Sequence, residues 1–145
     1  ADLTNLPFAD QTFNAVLNIF SPSHYQEFQR VLSEDGEVLK VVPQENYLKE
    51  LRQAFYPNQP EKQSYSNERV VAKFAEAMKL TERQRVTYEF EIPEENQKDL
   101  LAMSPLEWQV EERIKADLYK NPLKKITIDI ELLKGTKRKR FSSSF

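Results

Sequence analysis

Apolar residues recur in two rhythms along this chain of 145 residues, and the switches between them outline its elements. Phe13 to Ile19 is a short apolar run broken by Asn14 and Asn18, and reads as a strand. Ser21-Pro22 follows as a helix start, with Ser21 as cap and Pro22 at the first helical position. The helix runs to about Leu32 and buries Tyr25, Phe28, Val31 and Leu32. Glu34-Asp35-Gly36 turns the chain into Val38–Val42, a mostly apolar strand of the kind covered on both faces, which Pro43 closes. Helix signals resume from Glu45 to Phe55. Two prolines between Tyr56 and Ser66 mark a loop, and Val71, Phe74, Ala75 and Met78 then fall at helical spacing.

The rhythm changes in the second half. Val86-Tyr88-Phe90-Ile92 and Ile126-Ile128-Ile130-Leu132 alternate strictly with polar residues, as half-buried antiparallel strands do. Between them Ser104-Pro105-Leu106-Glu107 forms a capping box, opening a helix with Leu106, Val110, Ile114 and Leu118 on one stripe. The predicted order is β-α-β-α-α-β-α-α-β, an α/β fold with two parallel strands followed by an antiparallel pair and helices on both faces.

Composition narrows the class. The chain suits a single domain with a modest core. Charged residues make up 30% of it, and no apolar run approaches the roughly 18 residues of a spanning helix. No secretory leader pattern opens it. With no cysteine there is no disulfide and no thiolate metal site within these residues, which fits a reducing cytoplasm. Lys120 to Phe145 holds eight basic residues against Asp129 and Glu131, on a chain of net charge −2. A basic end on an acidic body suggests a polyanion contact, the alternative being a solvated terminal run.

Ala1-Asp2-Leu3-Thr4-Asn5-Leu6-Pro7-Phe8-Ala9-Asp10-Gln11-Thr12-Phe13-Asn14-Ala15-Val16 resembles the A-D-x-x-x-L-P-F-x-D-x-x-F-D-x-V segment of class I S-adenosylmethionine-dependent methyltransferases. Four further segments narrow the resemblance. They are Asn18–Pro22, Arg30–Gly36, Val42–Leu51 and Leu100-Leu101-Ala102-Met103-Ser104-Pro105-Leu106-Glu107-Trp108. In this order they are similar to the bacterial 23S ribosomal RNA (guanine-N1)-methyltransferases, and the last is the most specific. The resemblance covers the chain to about Leu133. It implies a partial, C-terminal portion of a Rossmann-like methyltransferase domain over residues 1–133, with a basic tail over 134–145.

Three departures accompany it. The family's N-terminal zinc module and glycine-rich loop are not among these residues, so zinc is expected only in a region preceding Ala1. Gly36 follows Glu34-Asp35 where many relatives carry Pro-Gly-Gly, and Tyr47 stands where many carry a histidine.

The resemblance also distributes roles. Asp2 and Leu3, with Tyr47, are expected at S-adenosylmethionine. Asn18 and Phe20 are expected at the reacting base, and Lys137, Arg138, Lys139 and Arg140 at 23S ribosomal RNA. Each has a plainer reading. Asp2 could be merely solvated, Asn18 could bond to backbone at a strand end, and Phe20 and Tyr47 could be rim aromatics. His24 is a further candidate proton acceptor. Trp108 is expected to pack a helix onto the sheet, and Tyr56 is left open.

Two other functional classes fit the same residues: a methyltransferase of another acceptor, and a non-catalytic interaction module. As the rear portion of an enzyme, the isolated chain is expected to be inactive. Its strand Phe13–Ile19 would present an edge for self-association.

Overall fold

The computed structural model describes residues 2–63, 65–103 and 110–138. Its elements are β1 (Phe13–Ile19), α1 (Tyr25–Val31), β2 (Leu32–Pro43), α2 (Lys49–Phe55), α3 (Pro60–Gln63) and α4 (Glu68–Ala77). They continue with β3 (Met78–Glu91), α5 (Gln97–Met103), α6 (Glu112–Lys120) and β4 (Lys125–Lys137). No helix among the described residues is long and apolar enough to cross a membrane.

The sheet order is β1-β2-β4-β3. β1 and β2 are parallel, with Val16 opposite Val38 and Asn18 opposite Lys40. Between Phe13↔Leu32 and Ala15↔Glu37 the register slips, so the Glu34–Gly36 turn expected before β2 is absorbed as an irregularity inside it. A Cβ on Gly36 would lie 2.8 Å from Leu32 Cδ2 and 2.9 Å from the Ser33 carbonyl oxygen, so glycine is required there by space.

β4 runs opposite to both neighbours. Toward β3, Thr81 bonds the Lys134 carbonyl and Arg83 bonds Glu131, while Thr87 bonds Asp129 and Lys125 pairs with Glu89. Toward β2, Lys134 pairs with Glu37 and the Gln44 N–H bonds the Asp129 carbonyl. The last strand in sequence is therefore inserted, antiparallel, beside β2. β4 also reaches Lys137, so the first residues of the basic run extend a strand.

Two compact units partition the chain, one of residues 1–43, 67–85 and 131–145, the other of 44–66 and 86–130. In the first, Phe28, Leu32, Val38, Val42, Phe74 and Leu133 centre the core, with Tyr25 meeting Phe74 edge-on at 6.0 Å. In the second, Leu51, Phe55, Tyr56, Leu101, Val110 and Leu118 do so. Tyr56, whose role the sequence leaves open, is a core residue there. Leu106 and Trp108 lie outside the described residues, as does the Ser104–Glu107 box.

Two strand faces differ from expectation. The alternation in β4 predicts burial of Ile126, Ile128, Ile130 and Leu132. Ile126 is buried but the other three are only half-buried, while Thr127, Asp129 and Glu131 on the opposite face are buried, Asp129 completely. An interior strand covers both faces, and the polar one is tolerated because its groups are bonded. Asp129 accepts from the Asn46 N–H at 3.0 Å and from Thr87 Oγ1 at 2.8 Å. Glu131 accepts from Asn67 Nδ2 at 3.0 Å and Arg83 Nε at 2.7 Å. On β3, at the sheet's edge, Tyr88 and Phe90 keep the expected period of two but are exposed.

Arg30 fastens the segment before β1. Its guanidinium donates to Glu27 at 2.6 Å, to Asp10 at 2.9 Å and to the carbonyls of Leu6 and Phe8, while Glu27 accepts the Leu6 N–H at 2.8 Å. The Leu6-Pro7-Phe8-Ala9-Asp10 and Arg30-Val31-Leu32 motifs are thus two halves of one charge-assisted network. The Arg30 hydrogen bonds, with the Leu6 N–H, hold the Glu27 carboxyl at about 2, from an ordinary 4.5.

Two outcomes are expected. A Cβ at position 135 would sit 2.7 Å from the Phe74 ring, so Gly135→Ala should cost roughly 1–3 kcal/mol in urea denaturation, partly recovered by Phe74→Leu. Glu27 has a depressed folded-state pKa, so its contribution is present above about 4.5 and lost as pH falls toward about 2. Glu27→Gln should therefore lower the denaturation midpoint at neutral pH, with the gap from the parent closing across that window.

Candidate functional site

Parallel pairing of β1 and β2 sets Asn18 against Lys40, both only 5% exposed. The Asn18 amide is fully used. Nδ2 donates to Ser21 Oγ at 2.8 Å and the Pro22 carbonyl at 3.0 Å, while Oδ1 accepts from Ser23 Oγ at 3.2 Å and Lys40 Nζ at 2.7 Å. Lys40 Nζ also donates to Ser23 Oγ at 2.6 Å and the Ser21 carbonyl at 3.4 Å. These three acceptors match the three protons of an ammonium, yet all are neutral. Burial lowers the Lys40 pKa. A buried cation facing neutral dipoles is costly to maintain, and its hydrogen bonds are what make it tolerable.

This cluster displaces the predicted helix start. Ser21 is held by the Asn18 amide, and α1 begins at Tyr25 with His24 as its cap, Nδ1 accepting the Glu27 N–H at 3.3 Å. His24 Nδ1 is thus occupied in capping.

Phe20 lies between the two anchored stretches. Its φ of 51° is left-handed, a region that costs a side-chain-bearing residue about 1–2 kcal/mol. Its N–H bonds the Val41 carbonyl at 3.1 Å, and the residue is 47% exposed. Strain of this kind persists where surrounding contacts over-determine the backbone.

Asp2 and Leu3 belong to the same unit. Asp2 is exposed, and its Oδ1 accepts from Thr4 Oγ1 at 2.7 Å and the Thr4 N–H at 2.9 Å, which lowers its pKa. An exposed, ionised carboxylate accepts readily from an amino group such as that of adenine, so the chemistry suits the edge of that base. Leu3 packs its side chain against the first core. Both glycines of the chain are committed to tight packing within β2 and β4.

Tyr47 belongs to the second unit, in the turn before α2, where its N–H bonds the Gln44 carbonyl at 3.0 Å. It is half-buried, and burial raises its hydroxyl pKa, opposed by the charge of Arg52. Lys137 ends β4, and Arg138 donates to the Ala75 carbonyl. Lys139 and Arg140 lie outside the described residues. Among the described residues no group of three His, Cys, Asp or Glu side chains is placed to hold a metal ion. A groove of about 490 Å³ in the second unit, bordered by α2 and α6, includes none of the expected site residues.

Sequence reasoning missed Lys40 and Ser23. The available signal was a lysine inside the apolar run Val38–Val42, an anomaly where a strand is covered on both faces.

No protein-family model matches the chain. It is 38% identical over 137 residues, 94% of its length, to the Bacillus subtilis (strain 168) protein named "Putative 23S rRNA (guanine-N(1)-)-methyltransferase YxjB". It is 31% identical over 108 residues to a protein of like name from Micromonospora griseorubida. The chain spans 48% and 35% of their lengths. Among solved structures it resembles a "putative methyltransferase" of Bacillus halodurans C-125, with TM-score 0.54 and 14% identity over 96% of this chain and 70% of that one. The YcgJ protein of Bacillus subtilis matches with TM-score 0.53 and 17% identity, over 97% and 70%. At such identities the likeness is one of fold. By sequence the chain is a relative of proteins named as putative 23S rRNA (guanine-N1)-methyltransferases, and it has the α/β fold of class I methyltransferases.

Proposed function

We propose that the chain is part of an S-adenosylmethionine-dependent enzyme that methylates guanine N1 of 23S ribosomal RNA in the cytoplasm. The observation that carries this reading is the 38% identity to a relative of that name along 94% of the chain. The inserted antiparallel β4 supports the methyltransferase part of it.

S-adenosylmethionine, when bound, supplies an electrophilic methyl group on its sulfonium. The protein's task is then alignment of the acceptor. Asp2 would accept a hydrogen bond from the adenine amino group and the Leu3 N–H would meet the ring. Tyr47 would border the cofactor. Phe20 would stack on the target guanine, since RNA bases are read unstacked against aromatic rings. Asn18, with its amide consumed internally, would act by shaping the loop that carries Phe20. Lys137 to Arg140 would meet phosphate.

Two measurements test this. Titration calorimetry of the 145-residue chain with S-adenosylmethionine should give binding weaker than micromolar, because no glycine-rich loop is among these residues. Micromolar affinity or better would require a more complete cofactor pocket than these residues form. In the full-length enzyme, neutralising Lys137, Arg138, Lys139 and Arg140 should weaken RNA binding. It should also flatten the salt dependence by about 0.7–0.9 log units for each phosphate no longer neutralised. An unchanged slope would return the run to a solvated tail.

A further inference from the structure

An exposed aromatic side chain on the turn after β1 is flanked by residues that bond a buried lysine. Phe20 holds a left-handed backbone on an exposed turn. On one side of it Asn18 is fixed in β1, and on the other Ser21 and Ser23 are fixed by side-chain hydrogen bonds. Among the described residues, Lys40 Nζ is the one group that bonds Asn18, Ser21 and Ser23, at 2.7, 3.4 and 2.6 Å. We propose that Lys40 is a positioning residue for base recognition, its buried ammonium clamping residues 18–23 so that the Phe20 ring is presented outward to the target base.

The inference rests on the functional reading above and adds to it. A buried ammonium with neutral partners is a weak stabilising device, because an apolar residue of similar volume is often as good or better at such a site. Geometry explains its presence: three donors on one atom converge on a turn whose backbone is strained at the residue to be displayed. Burial alone lowers the Lys40 pKa, while the three oxygens around Nζ favour its ammonium form.

The test uses the full-length methyltransferase carrying these residues, with turnover at saturating RNA, the KM for S-adenosylmethionine and thermal stability as readouts. Lys40→Met should lower turnover about 10–100-fold, the range expected when a reacting group is misplaced by about an ångström. The cofactor KM should stay within about threefold and the melting temperature should hold or rise. Ser23→Ala, a loop change that folds whatever becomes of Lys40→Met, should lower turnover in the same direction. On a Phe20→Ala background, adding Ser23→Ala or Lys40→Met should cost little more, since the clamp acts through the ring. Near wild-type turnover in Ser23→Ala, or a fully additive loss in the double variants, would overturn the proposal. If the unmodified enzyme leaves RNA guanine unmethylated, the functional reading fails instead, a result the parent protein alone reveals.

Discussion

The constraint on which the fold depends is that β4, the last strand, lies between β2 and β3 and must satisfy a polar face inside the protein. Thr127, Asp129 and Glu131 are buried along it. In the second unit the Thr127 hydroxyl and N–H donate to Glu50 at 2.5 and 2.9 Å, and the turn before α2 is tied through the Asn46 N–H to Asp129. Burial pushes the Glu50 pKa up, but the Thr127 hydrogen bonds carry it below the ordinary value. In the first unit Glu131 accepts from the amide of Asn67, the residue at the N-cap of α4, and from the Arg83 guanidinium. Each buried acceptor thereby fixes the start of a helix or the register of a neighbouring strand. Losing one partner would leave a desolvated carboxylate, a far larger penalty than the net value of the bond.

Two cations near β1 are held by opposite kinds of partner. Arg30 faces carboxylates, and its planar fork reaches both Glu27 and Asp10 while also bonding backbone carbonyls. That arrangement raises its pKa and makes it a fastener. Lys40 faces hydroxyl, amide and carbonyl oxygens. The first network organises the segment entering the sheet, and the second shapes the turn that leaves β1, the end of the strand where α/β folds place their ligands.

The alternation periods are legible in the residues because they depend on local spacing, whereas the likeness to methyltransferases rests on the resemblance of whole motifs. β1 keeps the limits that its apolar run predicts, and Val71 and Phe74 foreshadow α4. The Arg30 network joins motifs that are visible separately, but their connection is not. Helix starts are less secure. Ser21-Pro22 has the local chemistry of a cap, yet the side chain of Asn18 claims Ser21, and the helix opens at His24 instead.

What the sequence by itself determined was which stretches alternate with a period of two and which with a helical period, since that follows from bonding along a single segment. Which side of an alternating strand is buried was decided only by the tertiary structure. The alternation points to Ile128 as the buried side, yet Asp129 is the residue fully enclosed, because Thr87 and the Asn46 N–H supply partners from distant sequence positions. Lys40 makes the same point for the site. A lysine in an apolar strand is an anomaly in one dimension, and only parallel pairing with β1 brings Asn18, Ser21 and Ser23 to its ammonium.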